Sequence, residues 1–215
     1  DFRGVENALQ AGYFNDLGIT ALWLTPVVRN VWRSGYDLGG WKSGYHGYWA
    51  QDWLDIDPHL TSRKSLTGEA YPDSAEGRMQ HYRDFVKLAH AKGIKVIIDE
   101  AWFGHARFHP AFRPTALECG ADYATQSTHK VLSAFSQASM IHVNDPEFDE
   151  HLFRENFNMH ASTASSIAII RNEELLLLRA EALLAAGAPI EEMQALYLRS
   201  PDVTLSNGPK RVVQR

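Results

Sequence analysis

Two short apolar runs with a helical segment between them constrain the fold of this chain more than any other feature. Residues 19–24 form a run bounded by Gly and Pro, and residues 94–98 form a second run that ends at Asp99. Runs of this kind are typical of strands buried on both faces of a parallel sheet. Apolar residues at helical spacing over residues 77–92, followed by Gly93, predict a helix between them. Strand, helix and strand in this order predict an α/β fold with a parallel sheet.

The rest of the chain has a different character. Residues 29–75 are rich in Gly, aromatics, Asp and Ser without a lasting period, which predicts a long loop. After Asp99 the sequence becomes aromatic and irregular, and from Arg171 it becomes strongly helical, with a break at Gly187. The sequence therefore predicts three segments, which are residues 1–99, 100–164 and 165–215, the last being a helical hairpin with a polar tail.

Composition excludes several classes of function. The 215 residues carry a net charge of −5, which argues against a nucleic-acid partner. The single cysteine, Cys119, excludes an internal disulfide, and no apolar run reaches the ~20 residues that span a bilayer. His105 and His109 have a spacing that can bind metal, but Pro110 follows directly and a third ligand is lacking, so we predict no metal site. The chain begins at Asp1 without Met, which favours an excised or processed piece, and its localisation stays open.

An aromatic string at residues 45–52 predicts a sugar platform. It reads Tyr-His-Gly-Tyr-Trp-Ala-Gln-Asp and contains His46, Tyr48, Trp49 and Asp52. Aromatic rings bury the flat C–H faces of sugars, while His and Asp side chains can hydrogen-bond the hydroxyls. The alternative is a packed aromatic cluster that only fixes a long loop, and composition alone favours this alternative.

Residues 1–99 resemble the start of the α-amylase family of glycoside hydrolases. The matching stretches, in the family's order, are residues 1–4, 17–26, 45–52 and 91–99. The resemblance implies a partial (β/α)8 barrel that stops after its third strand, and an α-glucan partner. It also implies that Tyr48 stacks on the sugar beside the scissile bond, while His46, Trp49 and Asp52 line or support that site.

Two departures from the amylase pattern bear on activity. Asp99 is followed by Glu-Ala-Trp-Phe-Gly-His, so the Asn-His pair of the family is absent at its expected position. Glycoside hydrolysis also needs two carboxylates that flank one bond. Nothing after Asp99 resembles the later strands that supply them, so we expect no complete hydrolytic site.

A second ordered set of residues supplies the groups of a pyridoxal phosphate site. Such a site needs a Schiff-base lysine, a carboxylate at the pyridine nitrogen and donors for the phosphate. Asp99 ends a predicted strand, and Lys130 follows Ser127 and His129 further along the chain. The alternative is a solvated surface lysine, which is the commoner case for such a motif taken alone.

Residues 97–164 resemble the core of the ornithine, lysine and arginine decarboxylases, which have the aspartate aminotransferase fold. The matching stretches are residues 99–102, 108–110, 127–130, 135–143 and 158–163. The resemblance implies the following roles: Lys130 forms the Schiff base, Asp99 pairs with the pyridine nitrogen, Ala101 lies against the ring, Ser127 and His129 contact the phosphate, and Ser162 and Thr163 help form the site near a subunit interface. The family's phosphate-binding turn and ring-stacking His are missing, because the amylase-like segment occupies their place. We therefore expect no tightly bound cofactor, and at most a weak affinity for pyridoxal phosphate.

Residues 169–183 resemble a helical segment of the starch-binding outer-membrane lipoproteins of gut bacteria, although a core-facing helix hairpin is the interpretation we prefer. Taken together, the sequence predicts an α/β chain. In it, a partial barrel-like parallel sheet joins part of a pyridoxal phosphate domain and a C-terminal helical hairpin. Three functions remain open: a mosaic with no complete active site and no turnover, a glycan-binding or amylase-type protein, and a pyridoxal phosphate decarboxylase-type protein. The first is favoured, since two partial resemblances meet at Asp99.

Overall fold

Strands and helices alternate along the part of the chain that this computed structural model describes, which is residues 1–37, 40–134, 138–160 and 167–171. The strands are β1 (Ala21–Leu24), β2 (Val28–Asn30), β3 (Ser34–Asp37), β4 (Gly40–Lys42), β5 (Ala50–Ile56), β6 (Lys95–Asp99), β7 (Tyr123–Gln126), β8 (Ser139–Val143) and β9 (Ile167–Arg171). The helices are α1 (Phe2–Gln10), α2 (Tyr13–Asp16), α3 (Ala75–Ala91), α4 (Thr128–Val131) and α5 (Glu150–His160). The architecture is α/β, as the sequence predicts.

A five-stranded sheet in the order β1-β6-β7-β8-β9 carries the fold. β1, β6 and β7 are parallel, with Leu22 opposite Val96 in the first pair and Asp99 opposite Thr125 in the second. The boundary at Asp99 between the two sequence resemblances therefore lies inside one hydrogen-bonded sheet.

The pairing of β7 with β8 corrects the prediction of a wholly parallel sheet. These two strands are antiparallel, with Ala124 opposite His142, while β8 and β9 are again parallel. A parallel pair needs a crossover element that packs over the sheet, whereas an antiparallel pair can be joined directly. The connection over residues 127–138 contains only the single turn of α4 among its described residues, so the chain returns antiparallel.

The first strand is also less buried than its apolar sequence predicts. β1 lies at an edge of the sheet, and the side chain of Trp23 is 65% exposed. The apolar run alone does not distinguish a strand covered on both faces from an edge strand, which explains the difference.

Two small antiparallel ribbons replace much of the long loop that the sequence predicts over residues 29–75. β2 pairs with β5, and β3 pairs with β4, in both cases with shifts of register. Such irregular pairing breaks the alternation of apolar and polar residues that marks a regular strand, so periodicity does not reveal these strands.

The helix predicted over residues 77–92 is present as α3. Ser74 caps its N-terminus by accepting a hydrogen bond from the amide of Gly77. Gly93 follows the helix with a φ of 72°, in the left-handed region. The apolar face includes Tyr82, Phe85 and Val86, which are buried with Val96 and Ile98 of β6 in one core cluster. Burial of side chains of this size contributes about 1.5–3 kcal/mol each, so α3 anchors the strand that carries Asp99.

The described residues lie in one compact unit, Asp1–Asn172. The predicted helical hairpin over residues 165–215 lies almost wholly outside the described residues, as do Ser162 and Thr163. No helix among the described residues has both the length and the apolar character needed to cross a membrane.

Candidate functional site

A hydrogen bond between Tyr48 and Asp99 joins the two predicted sites. Asp99 ends β6, and its Oδ2 accepts from the Tyr48 hydroxyl at 2.6 Å, while its Oδ1 accepts from the amide of Ala101 at 2.9 Å. Burial, followed by the hydrogen bond to Asp99 and the charge of this carboxylate, raises the pKa of Tyr48 to about 12. Tyr48 therefore stays protonated near neutral pH and donates to Asp99.

The predicted sugar platform is a cluster of rings around His46. The His46 ring contacts Tyr45 edge-on, lies nearly parallel to Tyr48, and meets Trp49 edge-on at 5.2 Å between ring centroids. Tyr45 is 78% exposed and Trp49 is 41% exposed, so these rings present apolar surface to solvent. An exposed aromatic cluster of this kind can bury the C–H face of a sugar.

Backbone geometry at Gly47 fixes this cluster against the main sheet. Gly47 has a φ of 84°, and a Cβ at this position would lie 2.7 Å from the carbonyl oxygen of Pro26. Only glycine tolerates both the left-handed conformation and the close approach. The amide of Tyr48 then donates to Nδ1 of His46, which orients the imidazole within the cluster.

The described contacts of Asp52 are on β5 and not with the rings, although the sequence places it in the same string. It sits on β5 opposite Arg29, and its Oδ1 accepts a hydrogen bond from the amide of Leu54. The structure thus brings His46, Tyr48 and Trp49 together, while the described contacts of Asp52 are within the β2–β5 ribbon.

The decarboxylase-like residues gather at the carboxyl ends of β6 and β7. The amide of Ser127 donates to the carbonyl oxygen of Ala101 at 3.4 Å, which places the two loops side by side. The ammonium group of Lys130 lies 4.9 Å from the centre of the Trp102 ring, and Nδ1 of His129 is 3.1 Å from the carbonyl oxygen of Ala138. Lys130 and His129 are exposed.

This arrangement does not fit pyridoxal phosphate. The Asp99 carboxylate accepts from the Tyr48 hydroxyl and from the Ala101 amide, so a pyridine nitrogen would have to share it with both donors. Ala101 is only 4% exposed, so its side chain offers little surface for a cofactor ring, and the Lys130 ammonium is engaged with Trp102. The residues that the resemblance names are neighbours, but their side chains do not form a cofactor site in this conformation.

A cleft of roughly 80 Å³ opens next to Asp99, between the β2–β5 ribbon and the loops after β6. Asp55, Asp99 and Glu100 are the carboxylates among its described lining residues. Asp55 accepts two hydrogen bonds from the guanidinium of Arg78, at 2.6 and 2.8 Å. Two of the three carboxylates are thus bound by neighbouring side chains, Asp55 by Arg78 and Asp99 by Tyr48.

The third carboxylate, Glu100, belongs to a buried series of hydrogen-bonded side chains next to the cleft. The Gln126 amide donates to Glu100 at 2.7 Å, and the Oε1 of Gln126 accepts from Nε2 of His142 at 2.8 Å. Burial raises the pKa of Glu100, whereas burial and then the charge of Arg107 lower the pKa of His142 to about 4. Near neutral pH the imidazole of His142 is therefore neutral.

The sequence interpretation missed most of the residues that line the cleft. Trp53 and Phe103 stack at 5.5 Å between ring centroids, and Phe112 packs edge-on against Phe103. Tyr82 was identified only as part of the apolar face of α3, yet it also lines this cleft. The density of aromatic residues after Asp99 was the available signal, but their spacing has no period that would bring them together.

No group of three or more His, Cys, Asp or Glu side chains within the described ranges converges in a way that could hold a metal ion. His105 packs among aromatic rings, while Nδ1 of His109 accepts from the amide of Ala111.

Comparisons with known proteins give two partial matches. Residues 73–180 match the family described as Orn/Lys/Arg decarboxylase, major domain. The cyclomaltodextrin glucanotransferase of Bacillus licheniformis is 33% identical over 124 residues, which are 58% of this chain and 14% of that protein. The alpha-amylase of Niallia circulans is 31% identical over 123 residues, which are 57% of this chain and 19% of that protein.

Among solved structures, the γ-cyclomaltodextrin glucanotransferase of alkalophilic Bacillus clarkii has 34% sequence identity and a TM-score of 0.34, covering 47% of this chain and 12% of that chain. This chain therefore spans well under a quarter of the length of these relatives.

The prediction of a mosaic with decarboxylase-like and amylase-like segments is confirmed. Because the decarboxylase match begins at residue 73, it also includes α3 and β6, which the sequence analysis assigned to the amylase-like part.

Proposed function

The chain belongs to the Orn/Lys/Arg decarboxylase family through residues 73–180, and from this premise, together with its amylase-type relatives, we propose that it is a mosaic that binds α-glucan without turning it over. The amylase-like part supplies the binding surface, and we propose that it is the start of a (β/α)8 barrel. The decarboxylase-like part extends the sheet from β6.

The exposed rings of Tyr45 and Trp49, held together by His46, carry the binding part of the proposal. Their exposure leaves apolar surface free for the C–H face of a glucose ring, and Trp49 is the larger of the two side chains. The relatives named above include cyclomaltodextrin glucanotransferases and an alpha-amylase, whose names point to α-linked glucose polymers as the ligand class.

The carboxylates of the cleft support the absence of turnover. Hydrolysis needs one carboxylate free to attack or to activate water and another to donate a proton. Asp55 is held by Arg78, Asp99 is held by Tyr48, and Glu100 is buried with its oxygen bonded to Gln126. Each of these carboxylates thus has a structural partner that would have to leave before catalysis.

Decarboxylase chemistry has less support than glycan binding. It would require the Asp99 carboxylate and the Lys130 ammonium to face one cofactor ring. Their described partners are Tyr48 and Trp102, so the function proposed for this chain does not use a cofactor.

Titration with maltoheptaose, followed by calorimetry, tests the proposal. We expect saturable binding to the wild-type chain and about tenfold weaker binding to Trp49→Ala, which corresponds to a loss of about 1.4 kcal/mol. Trp23→Ala is the matched control, since Trp23 is also an exposed Trp but lies on β1, and its affinity should equal that of the wild type. Absence of binding to the wild type, or equal losses in both variants, would overturn the proposal.

A further inference from the structure

The cleft beside Asp99 has walls suited to a flat ring and is distinct from the exposed rings around His46. Its apolar and aromatic side chains include Trp53, Trp102, Phe103, Phe112, Met79 and Ile98. Trp53 and Phe103 stack on each other, parallel to within 17°, and together form one aromatic wall. Pockets lined in this way bind ligands mainly through apolar contact, while a few polar groups set the orientation.

Tyr82 supplies one unsatisfied polar group at this cleft. Its side chain is only 2% exposed and lines the cleft, and its hydroxyl has no hydrogen-bond partner among the described residues. Buried hydroxyl groups nearly always have a partner, because leaving one unpaired is costly. Because this oxygen is itself covered, a ligand that displaces the side chains over it would supply the missing partner.

The charged groups of the cleft favour a cationic ligand. The described partners of the Asp99 carboxylate are the Tyr48 hydroxyl and the Ala101 amide, which are both neutral donors. By contrast, the guanidinium of Arg113, which also lines the cleft, is paired with Glu118. An ammonium group would meet a carboxylate here, whereas an anion would meet repulsion.

We propose that this cleft binds a phenolic amine. The ligand's aromatic ring packs against the stacked pair of Trp53 and Phe103 and against Trp102. Its ammonium group pairs with Asp99, and its phenol hydroxyl bonds to the hydroxyl of Tyr82. The aromatic walls also favour a nearby cation, as the contact of Lys130 with the Trp102 ring illustrates.

Three small probes test the ligand class on the wild-type chain: tyramine, phenethylamine, which lacks the hydroxyl, and 3-(4-hydroxyphenyl)propionate, which replaces the amine with a carboxylate. We expect tyramine to bind about fivefold more tightly than phenethylamine, the usual effect of one hydrogen bond, and the propionate not to bind. Equal affinity for tyramine and phenethylamine, or binding of the propionate as strong as that of tyramine, would overturn the proposal.

The Tyr82→Phe variant tests the assigned hydroxyl. It keeps the buried ring and removes only the unpaired oxygen, so the affinity for phenethylamine should be unchanged and the advantage of tyramine should disappear. Tyr71→Phe is the control, because the Tyr71 hydroxyl donates to Asp84 and Tyr71 is not among the lining residues, and this variant should keep the full advantage. If Tyr82→Phe still binds tyramine more tightly than phenethylamine, the assignment of the Tyr82 hydroxyl is contradicted. The comparison of the three probes uses only the wild-type chain, so it remains a test even if the variants do not fold.

Discussion

The Tyr48 hydroxyl donates a hydrogen bond of 2.6 Å to the carboxylate of Asp99, across 51 positions of sequence. The first residue belongs to the amylase-like string, and the second is the residue at which both resemblances meet. The bond therefore joins the ring cluster to the end of β6, and it engages the carboxylate that the decarboxylase resemblance pairs with a pyridine nitrogen. This contact thus links the two sequence segments of the mosaic.

Replacing Tyr48 with Phe should lower the free energy of unfolding by about 1 kcal/mol, measured by urea denaturation, since a hydrogen bond to a partly solvated carboxylate is lost. The folded pKa of Tyr48 is about 12, above the ordinary value of 10.0. A raised folded pKa means that this stabilisation is fully present below pH 10.0 and is lost as the pH rises through about 12.

The alkaline part of this prediction has its own readout. Phenolate absorbance of the folded wild type should include a tyrosine that ionises near pH 12, and this component should be missing from Tyr48→Phe. An unchanged titration curve in the variant would show that the hydrogen bond to Asp99 does not raise the pKa of Tyr48.

Replacing Arg78 with Met should destabilise the chain by about 3 kcal/mol, because Asp55 is only 7% exposed and would keep a buried charge without its bidentate partner. The midpoint of urea unfolding measures this loss. Arg63→Met is the control, since the Arg63–Asp73 pair is exposed on both sides and should contribute less than about 1 kcal/mol. Similar losses in the two variants would contradict the structural role of Asp55.

Replacing His142 with Gln should make the stability less sensitive to acid. The folded pKa of His142 is about 4, below its ordinary value of 6.5. Because this pKa is depressed, full stability is present above pH 6.5 and falls as the pH drops through about 4, by up to about 3 kcal/mol. Glutamine keeps a donor for Gln126 but does not titrate, so unfolding measured across this range should show a smaller acid loss in His142→Gln than in the wild type.

Lys130 should react with pyridoxal phosphate no more than an ordinary surface lysine does. Treatment with the cofactor, reduction with borohydride and peptide mapping would measure the labelling of each lysine. Lys87, whose side chain is 74% exposed, is the reference, and the two lysines should be labelled to a similar extent. Strong preference for Lys130 would show that a cofactor site forms despite the Tyr48–Asp99 bond.

The sequence predicts the parts of the fold that depend on simple periodicity. α3, β1 and β6 follow from apolar spacing and from the glycine that ends the helix. The antiparallel return of β8 and the small ribbons over residues 29–75 could not be predicted in this way, because connection length and irregular register decide them rather than the pattern of apolar residues.

The sequence names candidate residues for the site, but it does not show how they contact one another. The residue types of His46, Tyr48, Trp49 and Asp99 identify chemistry that a sequence can show. The bond between Tyr48 and Asp99 depends on how Gly47 brings its loop against Pro26, which is a tertiary contact. The sequence also does not reveal that the Tyr82 hydroxyl lacks a hydrogen-bond partner among the described residues, since a tyrosine on the apolar face of a helix normally indicates only core packing.

The most direct test of the central claim is proton NMR of maltoheptaose in the presence of the wild-type chain, with saturation of the protein signals. The account predicts that saturation transfers to the sugar-ring protons while the anomeric signals keep their positions and relative intensities over prolonged incubation. New reducing-end or cyclic-product signals would show turnover, absence of transfer would show that the chain does not bind α-glucan, and either result would contradict the account.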